Sequence, residues 1–500
     1  MTAETQAFVR AHLHDDVRTL ALRATPAGVD RTEALRQIAG WQTASHKLPR
    51  WAACEDVRYP VRLSMEQCSS QAAAEYKRRV VEELLEGARG VTGNIEGIES
   101  IEVIESIEGI ENIESIEGIE SIEGIESIGD GDSLTVGSMA DLTGGLGVDF
   151  SFLAPLFATA TYVERNAELC ELARHNMPLL LPPTGHTLYI YNKTAEEALE
   201  ELPRQTLLFL DPARRDEAGR KVFLTADCQP DVASLHDKLV ARADIVMLKL
   251  SPMLDIRDAL RSLPATRWVH VVEVDGEVKE LLLVLAAEPQ DFCTEPQISC
   301  TEQQDCCTEP QNFCTEPRIS CTEPQIVCTE QRISCTERRI SCTERRISCT
   351  EPRIVCTDTH RRFTFTFGEE AQAQPDYTST IGTYLYEPSP AVMKAGAFRT
   401  LAVRYGLRKL HRDSHLYTSD TLVGDFPGRI LEVLATAPMR EAKTLLRDTR
   451  RANIVCRNFP LRPDELKRRL KIGDGGHEFL YATTAADGAH LLALCRQREK

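Results

Sequence analysis

Met139-Ala-Asp-Leu-Thr-Gly-Gly-Leu-Gly-Val-Asp149, followed a short helix later by Ala160-Thr-Tyr-Val-Glu164, decides how this chain is read. An apolar run that ends in Asp141 and passes straight into clustered glycines predicts a strand whose tip a ligand can approach closely, because glycine has no Cβ to hold it off. The next apolar run ends at Glu164. A doubly wound α/β sheet places an acid there, about twenty residues on, to accept hydrogen bonds from ribose hydroxyls. A dinucleotide fingerprint is excluded: counted from Gly145 and Gly147, the position that needs the third glycine is Phe150.

With the acid first and Gly144, Gly145 and Gly147 after it, the stretch resembles the Asp-x-Gly-x-Gly-x-Gly loop of class I S-adenosylmethionine methyltransferases, with Thr143 in place of the first glycine. The resemblance implies that Asp141, Thr143 and the glycines hold the methionine end of the cofactor and Glu164 the ribose, with Arg165 beside it. Thr194, after a third strand at Thr187–Tyr191, occupies the slot where related enzymes often carry an acid against the adenine.

About seventy residues after the glycine loop, Thr206-Leu-Leu-Phe-Leu-Asp-Pro-Ala-Arg-Arg215 reads as a buried strand that delivers Asp-Pro to its C-terminal edge, where open α/β sheets bind ligands. Asp211-Pro212-Ala213-Arg214 resembles the Asp-Pro-Pro-Arg segment of nucleic-acid methyltransferases, so Asp211, Pro212 and Arg214 form the expected catalytic set. RNA uracil-C5 enzymes carry a nucleophilic Cys one strand later, where this chain has Leu250. That leaves direct attack by a nitrogen or oxygen, with Asp211 as hydrogen-bond acceptor or base. Lys249 reads as a substrate-phosphate contact or surface charge, or else as a proton-transfer group.

Two tracts distort the composition of the 500 residues. From Ile95 to Ile128 the chain repeats Ile-Glu-x, and from Cys293 to Cys356 it repeats a unit like Cys-Thr-Glu-Pro-Gln-Ile-Ser. Together they carry about three quarters of the net charge of −18, so the remainder is nearly neutral. Eleven of the seventeen cysteines lie in the second tract, and no pair has zinc-ligand spacing, so reduced thiols and no metal are expected. A period of three gives no single apolar face on a helix or strand, and the heptad tract carries five prolines. Both read as tolerated inserts, with interaction arrays as the alternative. No run is long and apolar enough to span a bilayer and no signal peptide is visible, so a cytoplasmic protein is expected.

The rest divides into an N-terminal helical domain (1–88), the first insert (89–133), a Rossmann-like cofactor domain (134–290), the second insert (291–357), a ferredoxin-like segment (358–425) and a THUMP-like domain (426–500). Trp41 and Trp51 are expected in a small helical core, with base stacking as the alternative, and Ser69 or Ser70 is expected to cap the helix running to Leu85. Arg267–Asp275 and Glu280–Ala286 form a hairpin about Asp275-Gly276. Towards the C-terminus a strand at Arg429–Ala435, a basic helix from Met439 to Arg451, a strand at Ala452–Cys456, a helix at Pro463–Leu470 and a strand from Glu478 give a βαβαβ order. Between Arg440 and Lys471 stand eleven Lys or Arg against four acids, either a phosphate-backbone footprint or a solvated helix face.

Taken with Leu63-Ser-Met-Glu-Gln-Cys-Ser, Lys394-Ala-Gly-Ala-Phe398 and Asn458-Phe-Pro-Leu, these motifs resemble a bacterial family of class I methyltransferases with ferredoxin-like and THUMP-like C-terminal domains. The resemblance implies S-adenosylmethionine as cofactor and an RNA substrate, tRNA or rRNA. Two other readings stay open: an RNA-binding protein whose methyltransferase fold no longer turns over, and a methyltransferase acting on protein or metabolite.

Overall fold

The computed structural model describes residues 1–92, 137–183, 187–213, 228–286, 351–357 and 361–498. The Ile-Glu-x tract, Arg214 and all but the end of the heptad repeat lie outside the described residues. Contacts divide the chain into two units. The first, Met1–Glu82, Glu102–Glu288 and Pro352–Lys500, contains the sheets and the site below; of the second, Glu83–Ile101 and Pro289–Glu351, only residues 83–92 and Glu351 are described. No helix among the described residues is long and apolar enough to cross a membrane.

Helices Ala3–Ala11, Val17–Ala21 and Arg31–Lys47 begin at Thr2, Asp16 and Asp30, each of whose side chains accepts a backbone N–H three residues on. Val9, Leu20, Ala34 and Ile38 bury a small core between them. Trp51, in helix Pro49–Ala53, is fully buried and donates from Nε1 to Ser151 Oγ at 3.2 Å, while Arg50 Nη2 reaches Leu180 O at 2.6 Å. The helical cap is thereby fastened to the cofactor domain. Ser70 caps helix Gln71–Thr92 through its Oγ, whereas Ser69 turns inward to Asp149.

Nine strands build the main sheet: β1 (Ser138–Asp141), β2 (Thr159–Val163), β3 (Thr187–Tyr191), β4 (Gln205–Leu210), β5 (Ala243–Leu250), β6 (Thr266–Val274), β7 (Glu277–Ala286), β8 (Arg353–Thr357) and β9 (Arg362–Phe365). Their order is β3-β2-β1-β4-β5-β7-β6-β8-β9. The first five run parallel, and β7 returns antiparallel through the Asp275-Gly276 turn, both residues having positive φ. Order reverses between β1 and β4, so a crevice opens at the C-terminal ends of the strands on either side. The last copy of the heptad repeat is not a free insert: Ile354, Val355 and Cys356 are buried in β8, hydrogen-bonded between β6 and β9.

A second sheet holds β10 (Tyr384–Pro388), β11 (Arg408–Lys409), β12 (Tyr417–Ser419), β13 (Gly428–Pro438), β14 (Asn453–Arg457), β15 (Glu478–Thr484) and β16 (His490–Gln497), in the order β11-β12-β10-β13-β16-β15-β14. The expected βαβαβ unit therefore gains β16 and is continuous with the preceding segment through the β10–β13 pairing. Buried Glu387 on β10 ties the two halves, accepting from Arg457 Nη2 at 2.6 Å, Tyr481 OH at 2.7 Å and Arg429 Nη1 at 3.2 Å. The expected basic helix Met439–Arg451 is a correction: only a 3-10 turn at Met439–Glu441 and the four residues Ala442–Leu445 are helical. After Leu446 the apolar spacing stops, and turn bonds such as Thr449 N to Leu446 O replace the ladder.

Candidate active site

Asp141, at the tip of β1, is buried, and both hydrogen bonds to it fall on Oδ1: from Thr143 N at 3.0 Å and Thr143 Oγ1 at 3.4 Å. Burial drives its carboxyl well above the usual carboxylate range, against the Thr143 N–H, with Asp149, Asp211 and Glu164 adding to the rise. Oδ2 has no donor among the described residues. Glu164 follows β2 and faces the same loop, its two carboxylate oxygens accepting from Gly145 N at 2.9 Å and Asn166 N at 2.8 Å. The Tyr162 hydroxyl donates to Gly145 O at 2.5 Å, so the loop is held from both sides. A Cβ on Gly144 would lie 2.2 Å from the Tyr162 ring, and Gly145 and Gly147 have φ of +56° and +84°.

Asp211 leaves the tip of β4 with its backbone N–H donating to Thr143 Oγ1 at 2.6 Å. Thr143 thus joins Asp141 to Asp211 across the switch point. Behind Asp211 lies a buried row of charges. Lys249 of β5 pairs with Asp211 Oδ2 and stands 3.7 Å from Asp149 Oδ2; Lys77, from helix Gln71–Thr92, lies 3.2 Å from Asp149 Oδ1 and 2.5 Å from Glu280. Ser69 Oγ donates to Asp149 at 2.7 Å. Burial favours neutral Lys249, yet Asp211 and Asp149 outweigh it and hold the ammonium above its ordinary range. Asp149, between two lysines, is lowered despite its burial, whereas at Glu280 burial outweighs Lys77 and the carboxyl is raised. Two lysines against three carboxylates leave one excess negative charge in this row, which runs from Asp211 to Glu280. The expected surface or phosphate-binding role of Lys249 is therefore corrected: it is 3% exposed and engaged on Asp211.

A family model for a ferredoxin-like domain matches residues 384–427, and one described as THUMP domain-like matches 428–497. No curated protein matches. The crystal structure of a protein from Porphyromonas gingivalis W83 assigned as a methyltransferase is 30% identical, covering 99% of this chain and 98% of that one, with a TM-score of 0.69. The chain belongs to that methyltransferase family. This chain joins an S-adenosylmethionine-dependent methyltransferase fold to ferredoxin-like and THUMP-like domains. Two other methyltransferases, one from Escherichia coli (18% identity, 31% of this chain and 80% of that one, TM-score 0.23) and the Thermus thermophilus 16S rRNA N2 G1207 enzyme with AdoMet and guanosine (16%, 31% and 38%, 0.24), match less than a third of this chain.

In this methyltransferase Asp141, Thr143, Gly144, Gly145, Gly147, Glu164 and Asp211 come together at one edge of the sheet. Pro212 is buried beside Asp211. Arg165 is turned to Gln229 Oε1 at 3.4 Å, and Thr194 caps helix Ala195–Glu201 in a reciprocal capping box with Glu197. Arg214 lies outside the described residues. The groups present fit the cofactor: a glycine loop with no room for Cβ at Gly144 and Gly147, a buried Asp141 oxygen without a donor among the described residues to meet a cationic amino-acid end, and a second carboxylate, Glu164, with a lone pair left on each oxygen. Sequence reasoning assigned no role to Lys77, Asp149, Glu280 or Tyr162. A lysine at an apolar helix position, Lys77 within Ala73-Ala-Glu-Tyr-Lys-Arg-Arg-Val80, and an acid at the end of an apolar strand face, Glu280, were the available signals.

Proposed function

We propose that this methyltransferase modifies a nitrogen or oxygen of an RNA, with Asp211 accepting a hydrogen bond from the nucleophile. The carrying observation is the Asp141–Thr143–Asp211 link, which sets a cofactor acid and an acceptor side by side at the switch point. S-adenosylmethionine, when bound, supplies a methyl group on a sulfonium centre. Asp141 and the glycine loop would hold its amino-acid end and Glu164 its ribose. Lys249 occupies Asp211 Oδ2, and Oδ1 has no donor among the described residues, so a substrate N–H or O–H has one acceptor oxygen to align on. With Lys249 holding the other oxygen, Asp211 is fixed in place to orient the proton of the attacking group.

An RNA substrate is supported by the THUMP-like domain and by its charge. Nine of the eleven basic residues between Arg440 and Lys471 are exposed, while Arg457 is engaged by Glu387 and Lys467 by Asp474. Exposed cations on a chain of net charge −18 are the pattern that phosphate-backbone binding requires. Methyl transfer from labelled cofactor to total RNA, followed by nucleoside mass spectrometry in cells with and without the protein, is expected to show one modified nucleoside that disappears with Asp211→Ala. Labelled protein with unlabelled RNA would refute the reading.

A further inference from the structure

A cleft of about 580 Å³ in the ferredoxin-like region shares no residue with the crevice. Its size suits a small ligand. Four cations, Arg257, Arg399, Lys409 and Arg412, line it against two acids. The acids are engaged: Glu370 accepts the backbone N–H of Arg399 and of Thr400, both at 2.9 Å, and Asp413 faces Arg412 at 3.4 Å. Four cations against two acids leave the lining net positive, and Arg399 and Arg412 among them are exposed. Lys409 is 1% exposed and donates to the carbonyls of His411 (3.3 Å) and Arg412 (2.7 Å); burial pushes its pKa down to about 8, although Glu370 and Asp413 oppose this.

The remaining wall is aromatic. The rings of Phe398 and His415 stack with centroids 3.6 Å apart, and Tyr377 beside them is 46% exposed. His415 holds a backbone φ of +51°, a left-handed conformation that a non-glycine residue rarely adopts. Burial pushes the His415 pKa down to about 4, so the ring is neutral near pH 7.

Position links the cleft to the crevice edge. Helix Ile256–Ser262 starts shortly after the C-terminal end of β5, on the edge that carries Asp211, and Arg257 lies in its first turn. Lys394 Nζ donates to Leu254 O at 2.8 Å, tying that connection to helix Pro390–Ala395, whose C-cap Gly396 also lines the cleft.

We infer that this cleft binds a nucleoside monophosphate unit, its base against Tyr377, Phe398 and His415 and its phosphate at Arg399 and Arg412. A bare anion would leave the aromatic wall unused, and an apolar ligand would leave the cations uncompensated. The unit is supplied either as free nucleotide or as part of a single-stranded RNA.

The test is calorimetry on the full chain, with the crevice filled by saturating S-adenosylhomocysteine. The titrants are 5′-UMP, uridine, inorganic phosphate and a single-stranded uridylate hexamer. Arg399→Ala/Arg412→Ala and Tyr377→Ala change exposed side chains, and thermal melts confirm that both fold. The inference expects UMP or the hexamer to lose about tenfold in affinity in each variant, with uridine and phosphate each about tenfold weaker than UMP. Hexamer binding tighter than UMP and equally sensitive to the variants assigns the unit to an RNA strand; UMP binding that is not exceeded by the hexamer assigns it to free nucleotide. Phosphate binding as tightly as UMP, no binding of UMP or hexamer, or binding unchanged in the variants would overturn the inference. S-adenosylhomocysteine affinity, titrated separately into each variant, reports on the crevice.

Discussion

The hydroxyl oxygen of Thr143 accepts the backbone N–H of Asp211 at 2.6 Å. A residue that breaks the glycine pattern of the cofactor loop is therefore the strap between the two strand tips that form the crevice. Thr143→Val keeps the shape and removes the acceptor. It is expected to cost about 1–2 kcal/mol in urea unfolding and to lower turnover, with Thr143→Ser restoring most of both. Unchanged turnover in Thr143→Val would remove the strap from the mechanism.

Lys249→Met leaves Asp211 and Asp149 facing each other with one lysine fewer in a buried site. Breaking such a pair from one side costs about 3–5 kcal/mol. Denaturant midpoints should show that loss, and adding Asp211→Asn to the variant should recover part of it. Additive losses would mean that the two side chains are not coupled.

Gly144→Ala tests the cradle. Its Cβ would meet the Tyr162 ring, which cannot swing aside without breaking its bond to Gly145 O. S-adenosylmethionine affinity by calorimetry is expected to fall at least about tenfold, and Gly144→Ala with Tyr162→Leu should bind better than Gly144→Ala alone.

His270 is buried beside the Tyr76 hydroxyl, 2.8 Å from its Nδ1, and burial pushes its pKa from 6.5 down to about 3. Between those values the unfolded chain binds a proton that the folded chain does not. Stability should therefore fall as pH drops from 6.5 towards 3, by a few kcal/mol. Melting temperatures at pH 4.5 and 7.5 should differ less in His270→Gln than in the wild type.

Arg468 and Arg469 are exposed on helix Pro463–Leu470. If they contact RNA phosphates, Arg468→Ala/Arg469→Ala should reduce the slope of log affinity against log salt by about 1–2 and weaken different RNAs alike. A slope equal to that of the wild type would place the RNA elsewhere.

Strand tips were legible in the sequence because local signals mark them: an apolar run, an acid, glycines, then Asp-Pro. Asp141, Glu164 and Asp211 could be found that way, and the order of elements predicted a methyltransferase sheet. The basic helix at Met439–Arg451 was misread because charge gives no period, and beyond Leu446 no apolar residue recurs to hold a helix against the sheet. Lys249 was misread for a related reason, since a lysine near a strand end reads as exposed until its partners are known.

By itself, then, the sequence determined which strands carry the site and which residues stand at their tips, since both depend on neighbours within a few positions. Only the tertiary structure decided that Lys77, Asp149, Glu280 and Lys249 back Asp211 as one buried row, that the last repeat copy is strand β8, and that the two C-terminal segments share a sheet. These partners lie tens to hundreds of residues apart, and such pairings are fixed by packing and charge compensation across the fold rather than by local pattern.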